Sequence, residues 1–144
     1  LVPCRAAPGL AFIFAALIQE VFMISYVTLG TNDLARAAKF YDELLAILGA
    51  KRGWETEKYI AWTTGPSAPM LLAIKPNDGK PATIGNGMMI ALAANSKAQV
   101  AAVHGKALAL GGKDEGPAGP RGEDFFAGYF RDLDGNKLAV VFTG

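Results

Sequence analysis

Two hydrophobic rhythms alternate along this chain. Ile24 to Gly30 is a β-branched and aromatic run, which predicts a strand. Asn32 or Asp33 then offers a helix N-cap. Leu34, Ala37, Ala38, Tyr41, Leu44, Leu45 and Leu48 recur at helical spacing, and Gly49 stops the helix. Three short strands are expected next, over Ala50–Glu55, Lys58–Thr63 and Pro69–Lys75, with Trp54, Tyr59 and Trp62 giving them aromatic weight. Pro76 to Gly87 is rich in Gly, Pro and Asn and reads as a linker.

The pattern then restarts. Met88 to Ala94 predicts a strand, and Ser96 with Gln99 forms a capping box. Val100, Val103, Ala107 and Leu110 make the stripe of a second helix, ended by Gly111 and Gly112. Lys113–Gly116, Phe125–Arg131 and Lys137–Phe142 are the following strands, the last two joined by an Asp134-Gly135-Asn136 turn. The order is βαβββ twice. The copies align without a gap when Leu29 falls on Leu92, Asn32 on Asn95, Ala38 on Ala101, Leu45 on Leu108 and Gly49 on Gly112. Each half-module has one apolar sheet face to bury, and two such sheets can curl around a shared cleft. The expected fold is therefore α+β: two βαβββ modules forming a curled mixed sheet around a cleft, with residues 23–76 and 88–144 as modules and 77–87 as linker.

Composition narrows the function classes. The chain has 144 residues, 51% hydrophobic and 19% charged, a balance that suits one globular domain. A net charge of +1 with scattered Lys and Arg gives no footprint for nucleic acid. Cys4 is the single cysteine and His104 the single histidine, which excludes an internal disulfide and a Cys/His zinc site within one chain. Leu10 to Phe22 is almost wholly apolar but too short to span a bilayer, which needs ~20 such residues. Residues 1–22 read as an extension, either non-native or a short helix covering an apolar surface, with Met23 opening the domain.

Two stretches resemble a known family. Val27-Thr28-Leu29-Gly30-Thr31-Asn32-Asp33-Leu34 with Phe40-Tyr41 looks like its opening strand, cap and aromatic pair. Tyr129-Phe130-Arg131-Asp132-Leu133-Asp134-Gly135-Asn136-Lys137-Leu138 looks like its closing hairpin. Residues 23–144 thus resemble the vicinal oxygen chelate superfamily of glyoxalases, bleomycin resistance proteins and extradiol dioxygenases. The resemblance implies a cytoplasmic homodimer, and the charge and the short apolar run add the expectation of no nucleic-acid and no membrane partner. The resemblance also implies three positions for His, Gln or Glu metal ligands, and these fall on Tyr26, Met89 and Ala139. A methyl group cannot ligate, a thioether suits soft ions, and a phenol ligates only as phenolate. No metal and no cofactor are therefore expected.

The remaining candidates suit a small-molecule pocket. Tyr26, Trp62, Met89 and Tyr129 on their strands would line an apolar, aromatic cleft. Arg121, in a Gly/Pro-rich loop expected over the pocket mouth, can pair with a carboxylate or phosphate. Arg131 alternates with Tyr129 and would share its direction, unless it pairs with Asp132 or Asp134. His104 reads as a partly exposed structural residue on the outer helix. Asp33, Asp132, Asp134 and Asn136 read as cap and turn formers. Two function classes follow. One is a glyoxalase- or bleomycin-resistance-like protein that binds a small, partly apolar molecule between the modules without a metal. The other is a glyoxalase-related lyase, isomerase or dioxygenase with an atypical or metal-free site, for which Tyr26, Tyr129 and Arg121 are the first suspects. A third role, assembly through the apolar extension, rests on Leu10–Phe22.

Overall fold

The computed structural model describes residues 22–144, so the expectations for residues 1–21 lie outside the described residues. Strand β1 (Tyr26–Gly30) leads into helix α1 (Leu34–Ala46), followed by β2 (Lys51–Glu55), β3 (Tyr59–Thr63) and β4 (Met70–Ile74). The second module runs β5 (Ile90–Ala93), α2 (Lys97–Ala109), β6 (Lys113–Pro120), β7 (Phe125–Arg131) and β8 (Lys137–Thr143). The doubled βαβββ order is therefore present. Each module is a four-stranded mixed sheet, ordered β1-β4-β3-β2 and β5-β8-β7-β6. The first strand of each pairs parallel with the last, because the helix carries the chain back across the sheet.

Local chemistry sets the helix ends. The Asp33 carboxylate accepts the Arg36 N–H at 2.9 Å, and the Ser96 hydroxyl accepts that of Gln99 at 3.0 Å. Gln99 reciprocates by accepting the Asn95 N–H, and its amide also donates to Ile47 O, tying the start of α2 to the end of α1. At the C-termini the gapless alignment needs correcting. The left-handed glycines are Gly49 (φ 79°) and Gly111 (φ 96°), so Gly111 rather than Gly112 matches Gly49. The next residues, Ala50 and Gly112, donate back to Leu45 O and Ala107 O, the bonds that close a Schellman motif. Gly112 has a different duty: a Cβ there would lie 2.7–2.8 Å from two backbone oxygens.

Each helix covers one face of its own sheet. Phe40, Tyr41, Leu44 and Leu45 of α1 pack over Leu29, Ile60, Trp62 and Leu71. Val100, Val103 and Ala107 of α2 pack over Phe130, Leu138 and Val140 in the same apolar cluster. Full burial of each large side chain contributes about 1.5–3 kcal/mol. His104 belongs to this buried face and is only 6% exposed, contrary to the partly exposed residue expected. It lies one turn beyond Val100, and Gly128 beneath it has no Cβ, which would sit 3.0–3.1 Å from the imidazole. Nε2 lies 3.0 Å from Asp114 Oδ1 on β6, and the ring meets Phe130 edge-on.

The hairpin turn joins the modules. Asp132, 7% exposed, accepts the Tyr41 hydroxyl at 2.6 Å and the backbone N–H groups of Asp134 and Asn136. Asp134 accepts from the Thr31 hydroxyl, the Asn32 N–H and the Arg36 guanidinium. Asn136 donates its amide to Gly30 O. The residues that form the turn in module two therefore also satisfy polar groups of module one. Among the described residues no buried side-chain nitrogen or oxygen lacks a partner.

Candidate functional site

Strand alternation sorts the second sheet into two faces. Phe130, Leu138 and Val140 point to α2, so Tyr129 and Arg131 point away from it. Their partners across the β7–β8 ladder are Ala139 and Lys137, and Ala91 of β5 adjoins Ala139. Tyr129, Arg131, Lys137, Ala139 and Ala91 therefore share the face opposite α2.

Arg121 joins them by a route the sequence did not suggest. The Gly/Pro-rich segment expected as a loop is instead the second half of β6, which pairs with β7 through two register shifts, at Asp114/Gly116 and Gly116/Gly119. An edge strand with bulges tolerates Pro117 and Pro120, which have no N–H to donate. The Arg121 guanidinium donates to Pro117 O and Pro120 O and stands 5.5 Å from the centre of the Tyr129 ring. Lys137 Nζ stands 5.9 Å from the same ring. Arg131 pairs with Glu115 at 2.6 Å, rather than with Asp132 or Asp134, and also donates to Gly135 O. The Arg131 guanidinium beside Glu115 holds its carboxyl below the usual range, so that partner stays ionised.

Two cavities meet this surface. One, of about 460 Å³, is lined by the Ile84–Met89 segment together with Arg131 and Lys137. The other is an apolar groove of about 490 Å³ between β1 and β5, edge strands of their sheets that do not pair with each other. Val27, Leu45, Leu48, Leu71 and Leu92 are among its lining residues. Met89 lines both cavities. A cleft of about 20 Å³ between Leu29, Met89 and Lys137 lies at the same junction.

The six candidate residues separate accordingly. Met89 and Arg131 line the polar cavity, whereas Tyr129 and Arg121 line neither cavity, Tyr129 having its ring near Lys137 and Arg121 standing against that ring. Trp62 borders the groove but is 2% exposed: its ring packs on Tyr41 and its indole N–H donates to Asp42. Tyr26 is 57% exposed, on the β1 face that turns away from Val27 and Leu29, and lines neither cavity. Lys137 was missed. The expected strand bounds could have found it, because a strand ending at Arg131 and one restarting at Lys137 stand opposite each other across a turn centred on Asp134.

A family model for the glyoxalase/bleomycin resistance protein/dioxygenase superfamily matches residues 23–140. The chain belongs to this superfamily. Among solved structures it is similar to a glyoxalase/bleomycin resistance protein from Albidiferax ferrireducens T118, with 37% identity, a TM-score of 0.77, and 83% of this chain and 98% of that one covered. A glyoxalase-related enzyme from Fulvimarina pelagi (24% identity, TM-score 0.66, 88% and 89% covered) shares the fold. So does lactoylglutathione lyase from Agrobacterium tumefaciens (22%, 0.58, 82% and 91%). No curated protein matches the sequence.

The superfamily's metal positions can be tested against this donor set. Ala139 sits fully buried between Ala91 and Tyr129, with only a methyl group to offer. Tyr26 and Met89 are exposed, and a thioether with a phenol is a poor set for a hard or borderline ion. Among the described residues no three His, Cys, Asp or Glu side chains lie together to replace them. These residues do not fit the metal. No helix of the described residues is long and apolar enough to cross a membrane.

Proposed function

We propose that this superfamily member binds a small, partly apolar molecule in the groove between its two modules, and does so without a metal. The observation that carries the reading is the groove itself. Two unpaired edge strands leave about 490 Å³ lined by aliphatic side chains from both modules, and binding sites for small molecules are concave and mostly apolar. The absence of donor atoms at Ala139 supports the metal-free part.

The test is a titration with Nile red, a neutral apolar dye, on wild type and on Ala91→Phe. Ala91 lines the groove at an exposed position, so a phenyl group there fills space without disturbing the core. Saturable binding by wild type, weakened at least tenfold in a variant of unchanged urea midpoint, is expected. Equal binding by both proteins, or none by either, would overturn the proposal. Metal analysis of tag-free protein after incubation with nickel, zinc, manganese and iron should find none retained, and near-stoichiometric retention would refute the metal-free part.

A further inference from the structure

We infer that the groove's ligand is an amphiphilic acid: its apolar body lies between β1 and β5, and its anionic group lies beside Lys137. This rests on the binding reading above and deepens it to a ligand class. The charged residues lining the polar cavity are Arg131 and Lys137, and no carboxylate lines it. Arg131 is already neutralised by Glu115. Lys137 has no carboxylate within ion-pair distance among the described residues, and neither has Arg121, whose bonds go to main-chain carbonyls.

Two cations without a direct ion pair are thus held within about 6 Å of one ring, that of Tyr129, and Lys137 feels the Glu115 charge only at longer range. The ring's π-face offsets part of their charge, but it is a weaker partner than an anion. An anionic group entering beside Lys137 would give that cation the direct ion pair it lacks. It would also be near Asn86 and the glycines that flank it in the cavity wall. Met89 lines both this cavity and the apolar groove, so the two adjoin, and the inferred ligand spans them past that side chain. A neutral apolar ligand would leave the cations unused, and a small inorganic anion would leave the groove unused.

Calorimetric titration of the full chain with 2-naphthoate, 2-naphthyl phosphate and 2-naphthamide tests this. The three share one apolar body and differ in the head group. At least one acid should bind at least tenfold more tightly than the amide. The tighter of the two acids identifies the anion as carboxylate or phosphate. Lys137→Gln should remove the preference without removing amide binding, and Lys137→Arg should restore it. Acids and amide binding alike, with Ala91→Phe abolishing both, would overturn the acid inference and leave the groove reading intact. Binding by none of the three, with Nile red still bound, would overturn the acid inference alone. If Nile red failed to bind as well, both readings would fall.

Discussion

Replacing Tyr41 by Phe removes one oxygen from the junction between the modules and nothing else. The hydroxyl is buried and donates to an Asp132 oxygen at 2.6 Å. A hydrogen bond to a charged group contributes about 1.5–3 kcal/mol. Asp132 keeps the N–H groups of Asp134 and Asn136 and the Asn136 amide, so its carboxylate is not orphaned. The expected loss is therefore near the middle of that range, about 2 kcal/mol. With a urea slope of roughly 1–3 kcal/mol/M, the midpoint falls by about 1 M. Asp132→Ala should cost more, above about 3 kcal/mol, because it strands the Tyr41 hydroxyl and two backbone donors at once. Urea unfolding followed by far-UV circular dichroism measures both. A Tyr41→Phe loss below about 0.5 kcal/mol, or one equal to that of Asp132→Ala, would refute this account of the junction.

The same phenol gives an alkaline prediction. Burial, then the Asp132 charge, raise its pKa well above the ordinary 10.0, so the unfolded chain releases this proton first. Its contribution is full below pH ~10 and declines as pH rises beyond, and Tyr41→Phe should flatten that decline in urea midpoints. At the acid end, hydrogen bonds from Arg52 hold the Asp42 carboxyl below its ordinary 3.8, so the stability it adds is present above that value and lost as pH falls through its lower folded value. Fluorescence-monitored acid unfolding of Asp42→Asn in a Trp54→Phe background, which leaves Trp62 as reporter, should show a shallower acid limb. Gly128→Ala forces a methyl group into the His104 imidazole and should cost about 1–3 kcal/mol. In a His104→Ala background the ring contacts disappear while the contact to the Cβ at 3.1 Å stays, so the cost should fall without vanishing, and a cost unchanged by His104→Ala would show that the ring is not its source.

What the sequence determined was local and periodic. Hydrophobic spacing placed both helices, the caps at Asp33 and Ser96 are short side chains bonding within their own first turn, and the Asp-Gly turn fixed the closing hairpin. The family was legible for the same reason, because its marks lie in contiguous stretches around Asn32 and Asp134. Only the tertiary structure decided contacts across the chain. Asp134 was readable as a turn residue, but its bonds to Thr31, Asn32 and Arg36 cross about a hundred residues. His104 reads as partly exposed until Gly128 of β7 comes beneath helix α2 to make its slot. The Gly116–Arg121 segment reads as a loop, since Gly and Pro disfavour strands locally, yet pairing with β7 through bulges outweighs that propensity. Of the site, strand alternation correctly gave Tyr129 and Arg131 one direction. Lys137 was within reach of the bounds of one hairpin, but the groove between β1 and β5 needed the placing of two unpaired edges, which no single segment encodes.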